Sequence, residues 1–419
     1  MNLFQVSALL ISLVALLAYL NSRLLHWPVS IAVTVSGLVL GSALPLLGGV
    51  GAEAAGAARA LLGHIPFSKL VLQGLLGFLL FAGSLGVGMD ALREQARLVF
   101  SLATLSTLVT ALLLGLSATA LLRAAGLAIS PAEGLLFGAL LSPTDPVAVL
   151  DLIRRRNFSA GFRALIAGEA LFNDGVGLIL FTSLLGAVGH QDVGLGGVLG
   201  LLARQVILAI LLGGLLGILA TYLLSTTDDP LSELLITLAV ASGGYSLALA
   251  LGSSGPLTMV VSGLLIGHYG WRYGLSERSR ERVGLFWESL DELLNTVLFA
   301  LIGLEVITLG LRPRQLLLAP ALVALMLLIR LFSVQLPLLG LRRVAPQPRG
   351  TGLLLTWGGL RGGLTLALAL SLPQLPERQT LVSLAYWATV FSIVVQGLSM
   401  PWMLERVSRL RGRRASRPL

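Results

Sequence analysis

The feature that most constrains this chain is the repetition of nearly uncharged apolar stretches, separated by short charged or Pro/Gly-rich connections. Each stretch is about twenty residues long, which matches the roughly 30 Å of hydrocarbon that a helix crosses at about 1.5 Å per residue. Barrel strands need only about half that length, so the stretches read as helices. With 56% hydrophobic and 12% charged residues in 419, the sequence is also too apolar for an ordinary soluble domain. The expected fold class is an all-α polytopic membrane protein.

Dividing the chain at its connections gives thirteen spans, at residues 2–20, 28–48, 69–88, 98–122, 132–153, 162–188, 194–224, 232–251, 255–270, 284–309, 316–340, 351–372 and 380–404. Of the Lys and Arg residues, 20 fall in connections on one side, 6 on the other, and Arg204, Arg330 and Arg361 within spans. Basic connections stay in the cytoplasm, so the split predicts a multi-pass protein of the cell membrane with its N-terminus outside and its C-terminus inside. Residues 1–404 then form one transmembrane domain and 405–419 a short basic cytoplasmic tail. Residues 1–20 read as a retained first helix rather than a cleaved secretory signal, because no basic residue precedes the run and Arg23 follows it.

The net charge of +9 sits in those connections and the tail, a pattern of membrane orientation that argues against nucleic-acid binding. Absence of Cys excludes disulfides and thiolate metal sites. His26, His64, His190 and His268 lie near span ends without i,i+4 pairing, so no resident metal is expected. A phosphate-cradling Gly-rich loop with its Lys is missing as well, which removes an ATP-driven mechanism within this chain. No enzymatic activity and no cofactor are expected. The sequon at Asn157 falls in an inward connection and reads as chance.

Thirteen spans suggest two six-span repeats joined by span 7, with partners seven spans apart running in opposite directions. Span 5 then pairs with span 12, and both are interrupted at mid-depth, by SPTDP at 142–146 and by WGGLRGG at 357–363. Paired broken helices in the two halves of a transporter mark its binding site. Small-residue pairs such as Gly213/Gly217 and Ser242/Ser246 permit close helix contact.

Span 6 reads GEALFNDGVGLILF and puts Asn173 and Asp174 at its middle, where a carboxylate costs several kcal/mol and therefore marks function. Leu171 and Phe172 precede this acid, and Gly175 and Gly177 leave room beside it. A carboxylate withdrawn from water is neutralised by a proton or by a cation, so one group serves two competing ligands. In span 5, Pro143 and Pro146 free backbone carbonyls around Thr144 and Asp145, which together offer hard oxygen ligands for a small cation. Asp145 either ligates or, preferentially, neutralises a buried Arg. Arg330 and Arg361 lie at depth and cannot discharge by losing a proton, so each needs an anion or the end of a broken helix. Arg361 is placed to neutralise carbonyl ends at the crossing, and with Arg330 to hold Asp145 or Glu169. Arg204 and Glu133 sit nearer helix ends and are expected to reach the interface.

At these motifs the chain resembles the monovalent cation/proton antiporter family, in its sodium/proton exchanger branch, over essentially its whole length. The matching pieces are Thr144-Asp145-Pro146, the run from Gly168 to Asp174, FWESLDELLNTVLFALIGLE from Phe286 to Glu305, and GLRGG from Gly359 to Gly363. The resemblance implies that Asp174 binds cation and proton alternately, that Asn173 steadies its neighbours, and that the Thr144 side-chain oxygen touches the ion. It implies ion pairs of Glu169 with Arg361 and of Asp145 with Arg330, and a further buried acid at Glu292. It also implies a homodimer with a dimerisation part and a moving core, and electroneutral exchange from a single Asp beside Asn. Two departures remove oxygens: Ala170 stands where the family often has Ser, and Ala82 where several members have Glu.

The expected function is secondary antiport of sodium, or another small monovalent cation such as lithium, for protons by alternating access, serving pH homeostasis. A potassium/proton exchanger on the same scaffold is the alternative, and a channel-like pore or membrane sensor a further one. The implied partners are the cation, protons, membrane lipid and a second copy of the chain.

Overall fold

The computed structural model describes residues 3–44, 47–63, 66–154, 158–189, 195–274, 276–309 and 313–415. His64, His190 and Asn157 lie outside them. Among the described residues every regular element is helical. Each expected span has a helical counterpart. Span 1 is Leu3–Leu20, span 2 Val29–Ala43, span 3 Phe67–Leu85, span 4 Met89–Ala124, span 6 Ala160–Gly189 and span 7 Leu195–Ser225. Span 8 is Pro230–Ala250, span 9 joins Gly255–Leu265 to the π-helical Ile266–Gly274, span 10 is Glu277–Leu304 and span 11 Pro313–Gly340. Span 13 runs from Arg378–Phe391 through a π-helical turn into Gly397–Ala415.

Spans 5 and 12 are broken where expected. The first splits into half-helices 5a (Pro131–Leu140) and 5b (Val147–Arg154), the second into 12a (Thr351–Trp357) and 12b (Gly363–Leu370). The strands of backbone between the halves cross antiparallel, with the Asp145 N–H donating to the Leu360 carbonyl at 2.8 Å. Pro143 and Pro146 deny the helix its N–H donors on one side, and four glycines at 358, 359, 362 and 363 weaken it on the other.

Three boundaries differ from the hydropathy reading. Span 4 starts at Met89 rather than 98, span 10 at Glu277 rather than 284, and the last helix continues past 404 to Ala415, so the backbone of the basic tail is itself largely helical. Hydropathy locates the hydrocarbon-crossing part of a helix, whereas charged turns extend the same hydrogen-bonded ladder beyond it. An additional helix, Gly48–Gly63, lies largely in a stretch read as a connection, because its Gly and Ala residues with Glu53 and Arg59 make it less apolar than the spans. It packs on the end of span 10, where Arg59 Nε donates to the Ile307 carbonyl at 3.0 Å.

Spans 4, 5, 6, 11, 12 and 13 pack around the crossing, and spans 4 and 11 lie directly against each other. Gly213 and Gly217 do permit close packing: a Cβ on either would fall 2.7 Å from the Thr258 carbonyl oxygen or 2.8 Å from Leu265 of span 9. Ser242 and Ser246, by contrast, are exposed, and their hydroxyls turn back onto the carbonyls of Leu238 and Ser242. Arg204 is exposed, while Glu133 closes a capping box with Ser130 at the start of 5a.

Candidate functional site

The crossing places four half-helix ends near one another, and opposite charges meet them. Arg361 Nη1 donates to the carbonyls of Ser142 at 3.1 Å and Pro143 at 2.6 Å, the groups that the break after 5a leaves without helical partners. A cation at that end also faces the negative pole of 5a. Asp145 does the converse. Its Oδ1 accepts the Val147 N–H at 3.0 Å, at the positive end of 5b, and its other oxygen lies so close to Gly362, the cap of 12b, that a Cβ there would overlap it.

Behind the crossing is a closed polar lattice. Glu169 Oε1 accepts from Arg330 Nη2 at 2.7 Å and from Asn173 Nδ2 at 2.8 Å. Asn173 Nδ2 also donates to Thr144 Oγ1 at 2.6 Å, and Asn173 Oδ1 accepts the Thr144 N–H at 3.2 Å. The i,i+4 spacing of Glu169 and Asn173 puts both on one face of span 6. Arg330, Glu169, Asn173 and Thr144 are each at most 3% exposed, so nothing in this lattice reaches water.

On the other side of span 6 is a cavity of about 650 Å³. Asp174 and Asp145 line its deep end, with Ala82, Gly83, Ala170 and Leu171 beside them. Towards its mouth, Glu288, Asp291 and Asn295 form one wall at helical spacing, opposite Ala160 and Arg163 at the start of span 6. Asn295 Nδ2 donates to Asp291 Oδ1 at 3.1 Å. Asp174 itself accepts no hydrogen bond among the described residues, and its carboxylate is free for a ligand entering from the cavity.

The structure therefore brings together the expected residues but redistributes their partners. Glu169 pairs with Arg330 rather than Arg361, because Arg361 is taken up by the carbonyls of 5a. Asp145 neutralises helix N-termini rather than Arg330. Thr144 sits in the lattice and does not line the cavity, so its hydroxyl serves Asn173 and Glu169 instead of facing an ion. Glu292 is exposed rather than buried, since it falls on the outer face of span 10, one residue from Asp291 and about 100° round the helix. Ala170 and Ala82 do face the cavity beside Asp174, so the two departures from the resembled pattern bear on the ion's surroundings. Sequence reasoning passed over three wholly buried hydroxyls: Ser106, which accepts from Arg330 Nη1, Ser333, which bonds Ser106 and the Arg330 carbonyl, and Thr110, which bonds Ser333. Their only signal was the i,i+4 spacing of Ser106 and Thr110 in an apolar span.

Comparison with known proteins gives one consistent result. The sequence profile of the family described as "Sodium/hydrogen exchanger, transmembrane" matches residues 10–406. The chain is 36% identical over 406 residues to the Na(+)/H(+) antiporter NhaP of Pseudomonas aeruginosa, covering 96% of each. It is 29% identical over 395 residues to the Na(+)/H(+) antiporter NhaH of Halobacillus dabanensis, covering 93% of this chain and 94% of that one. Its fold is similar to that of the sodium proton antiporter MjNhaP1 from Methanocaldococcus jannaschii, with a TM-score of 0.75 at 19% identity over 98% of this chain and all of the other.

Proposed function

The chain belongs to the sodium/hydrogen exchanger family, and on that premise we propose that it exchanges sodium for protons by alternating access, with Asp174 as the group that carries either ion. The observation that supports this most is the position of Asp174: mid-span, lining a cavity, with no hydrogen-bond donor on its carboxylate among the described residues. A proton and a cation compete for that carboxylate, so release of one is coupled to capture of the other. The crossing beside it supplies a joint whose charged ends are already neutralised by Arg361 and Asp145, which lets the half-helices stay in the membrane interior throughout the cycle.

Exchange of one cation for one proton fits an amide, rather than a second acid, next to Asp174. Asn173 is fully engaged in the lattice and carries no charge to compensate. The excess of Lys and Arg in alternate connections supports a cavity that opens, at Ala160 and Arg163, to the cytoplasmic side of the cell membrane, with the N-terminus outside. A homodimer is part of the proposal and rests on the resemblance. Proteoliposomes with an imposed pH gradient test the whole reading: proton flux should depend on sodium, saturate with its concentration, and rank lithium, sodium, potassium and rubidium unequally. Conductance that never saturates would indicate a pore instead.

A further inference from the structure

Arg330 is held from two sides, and only one of them belongs to the ion-pair lattice. Its Nη2 serves Glu169, while its Nη1 donates to Ser106 Oγ at 3.4 Å. Ser106 Oγ donates to Ser333 Oγ at 3.2 Å, and Ser333 Oγ donates to the carbonyl of Arg330 itself at 3.1 Å. The three form a closed loop that runs from the guanidinium through two hydroxyls back to the same residue's backbone. Thr110 Oγ1 joins Ser333 at 2.8 Å from outside the loop. All three hydroxyl side chains are 0% exposed.

Ser106 owes its position to a π-helical turn, Leu102–Ser106, inside the otherwise α-helical span 4. One extra residue in the turn shifts the register of everything after it, and such turns recur where a helix must aim a side chain. Here the shift directs Ser106, and Thr110 one turn on, at span 11.

We propose that Ser106 and Ser333 are positioning residues for exchange, acting through Arg330; the inference rests on the exchange reading above. A guanidinium is a rigid planar fork, so fixing Nη1 sets the plane in which Nη2 meets Glu169. Glu169 in turn orients the Asn173 amide, and that amide holds Thr144 N–H and hydroxyl at the break. Thr144 adjoins Asp145 and Asn173 adjoins Asp174, so the loop fixes how the two cavity carboxylates stand to one another. Opening it leaves the carboxylates present but loosely placed, which weakens capture of the cation more than turnover.

Sodium-dependent flux in proteoliposomes tests this with Ser106→Ala, Ser333→Ala, the double variant, Ser106→Thr and Thr110→Val. Each Ser→Ala change should raise KM for sodium about tenfold, the size expected for one hydrogen bond to a charged group. Maximal rate should stay within about twofold. The double variant should be no worse than either single, because the loop is already open. Ser106→Thr keeps the hydroxyl and should behave as the wild type, as should Thr110→Val, which deletes a buried hydroxyl outside the loop. Additive losses in the double variant, or a rise in KM for Thr110→Val equal to that for Ser106→Ala, would overturn the inference while leaving exchange intact. A wild-type protein without cation-dependent flux would overturn both together.

Discussion

Asn173 and Asp174 are neighbours in one helix, differ by a single group, and live in opposite surroundings. Asn173 is wholly buried and uses both its amide atoms on Thr144 and Glu169, whereas Asp174 is partly open to the cavity and accepts no hydrogen bond among the described residues. The same contrast extends outward. One side of span 6 is a buried lattice in which every charge has a fixed hydrogen-bonded partner, and the other is a cavity in which the decisive charge has none among the described residues. An exchanger needs both: a rigid lattice keeps the break and its helix ends in register, while an unsatisfied carboxylate is what a cation or proton can occupy. Buried polar groups are costly unless satisfied, so an acid kept unsatisfied at mid-membrane is the one reserved for cargo.

The widest separation of the two sides comes from Asp174→Asn. Amide and carboxylic acid have similar shapes, so the variant should fold and melt as the wild type, yet its sodium-dependent flux should fall to that of empty vesicles. Wild-type flux would remove Asp174 from the mechanism and dissolve the contrast. Next are the two buried arginines. Arg330→Ala strands Glu169 as an unpaired charge in the lattice and should cost about 3–5 kcal/mol of stability, read as a large fall in melting temperature in detergent. Arg361→Ala leaves two carbonyls unpaired but breaks no hydrogen-bonded ion pair, so about 1–3 kcal/mol is expected. Equal losses would mean that Arg361 holds its nearby acids as firmly as Arg330 holds Glu169. An effect of the same order as that of Arg361→Ala is expected for Gly362→Ala, whose methyl group would fall 2.7 Å from the Asp145 Cβ and on its carboxylate. Displacing that side chain should cost about 1–3 kcal/mol and lower flux while leaving the Glu169–Arg330 lattice intact. Unchanged flux there would show that Asp145 can leave the helix ends without harm.

Two regions also differ in how they meet the membrane. Of the residues in the apolar window of span 6, 72% are buried, against 22% in span 7. Yet both runs are apolar enough to cross a membrane, with mean hydropathies of 1.5 and 2.5. Lipid is as apolar as a protein core, so hydropathy reports depth in the bilayer and is silent on whether a face meets lipid or another helix.

That limit divides what was legible from what was not. The sequence by itself determined the thirteen spans, the two breaks, the pairing of those breaks, and the acid at mid-depth. Each follows from a local property: run length against bilayer thickness, Pro and Gly against the helical ladder, or the cost of a carboxylate in hydrocarbon. Only the tertiary structure decided that Glu169 takes Arg330, that Arg361 and Asp145 serve helix ends, that Thr144 turns away from the cavity, and that Glu292 faces outward. The reason is distance along the chain. Arg330 and Glu169 are 161 residues apart and Arg361 and Pro143 are 218 apart, so their partnership depends on how the broken spans cross and on where π-helical turns reset the register. Composition supplied two cations and several acids at the right depth, and the crossing assigned them.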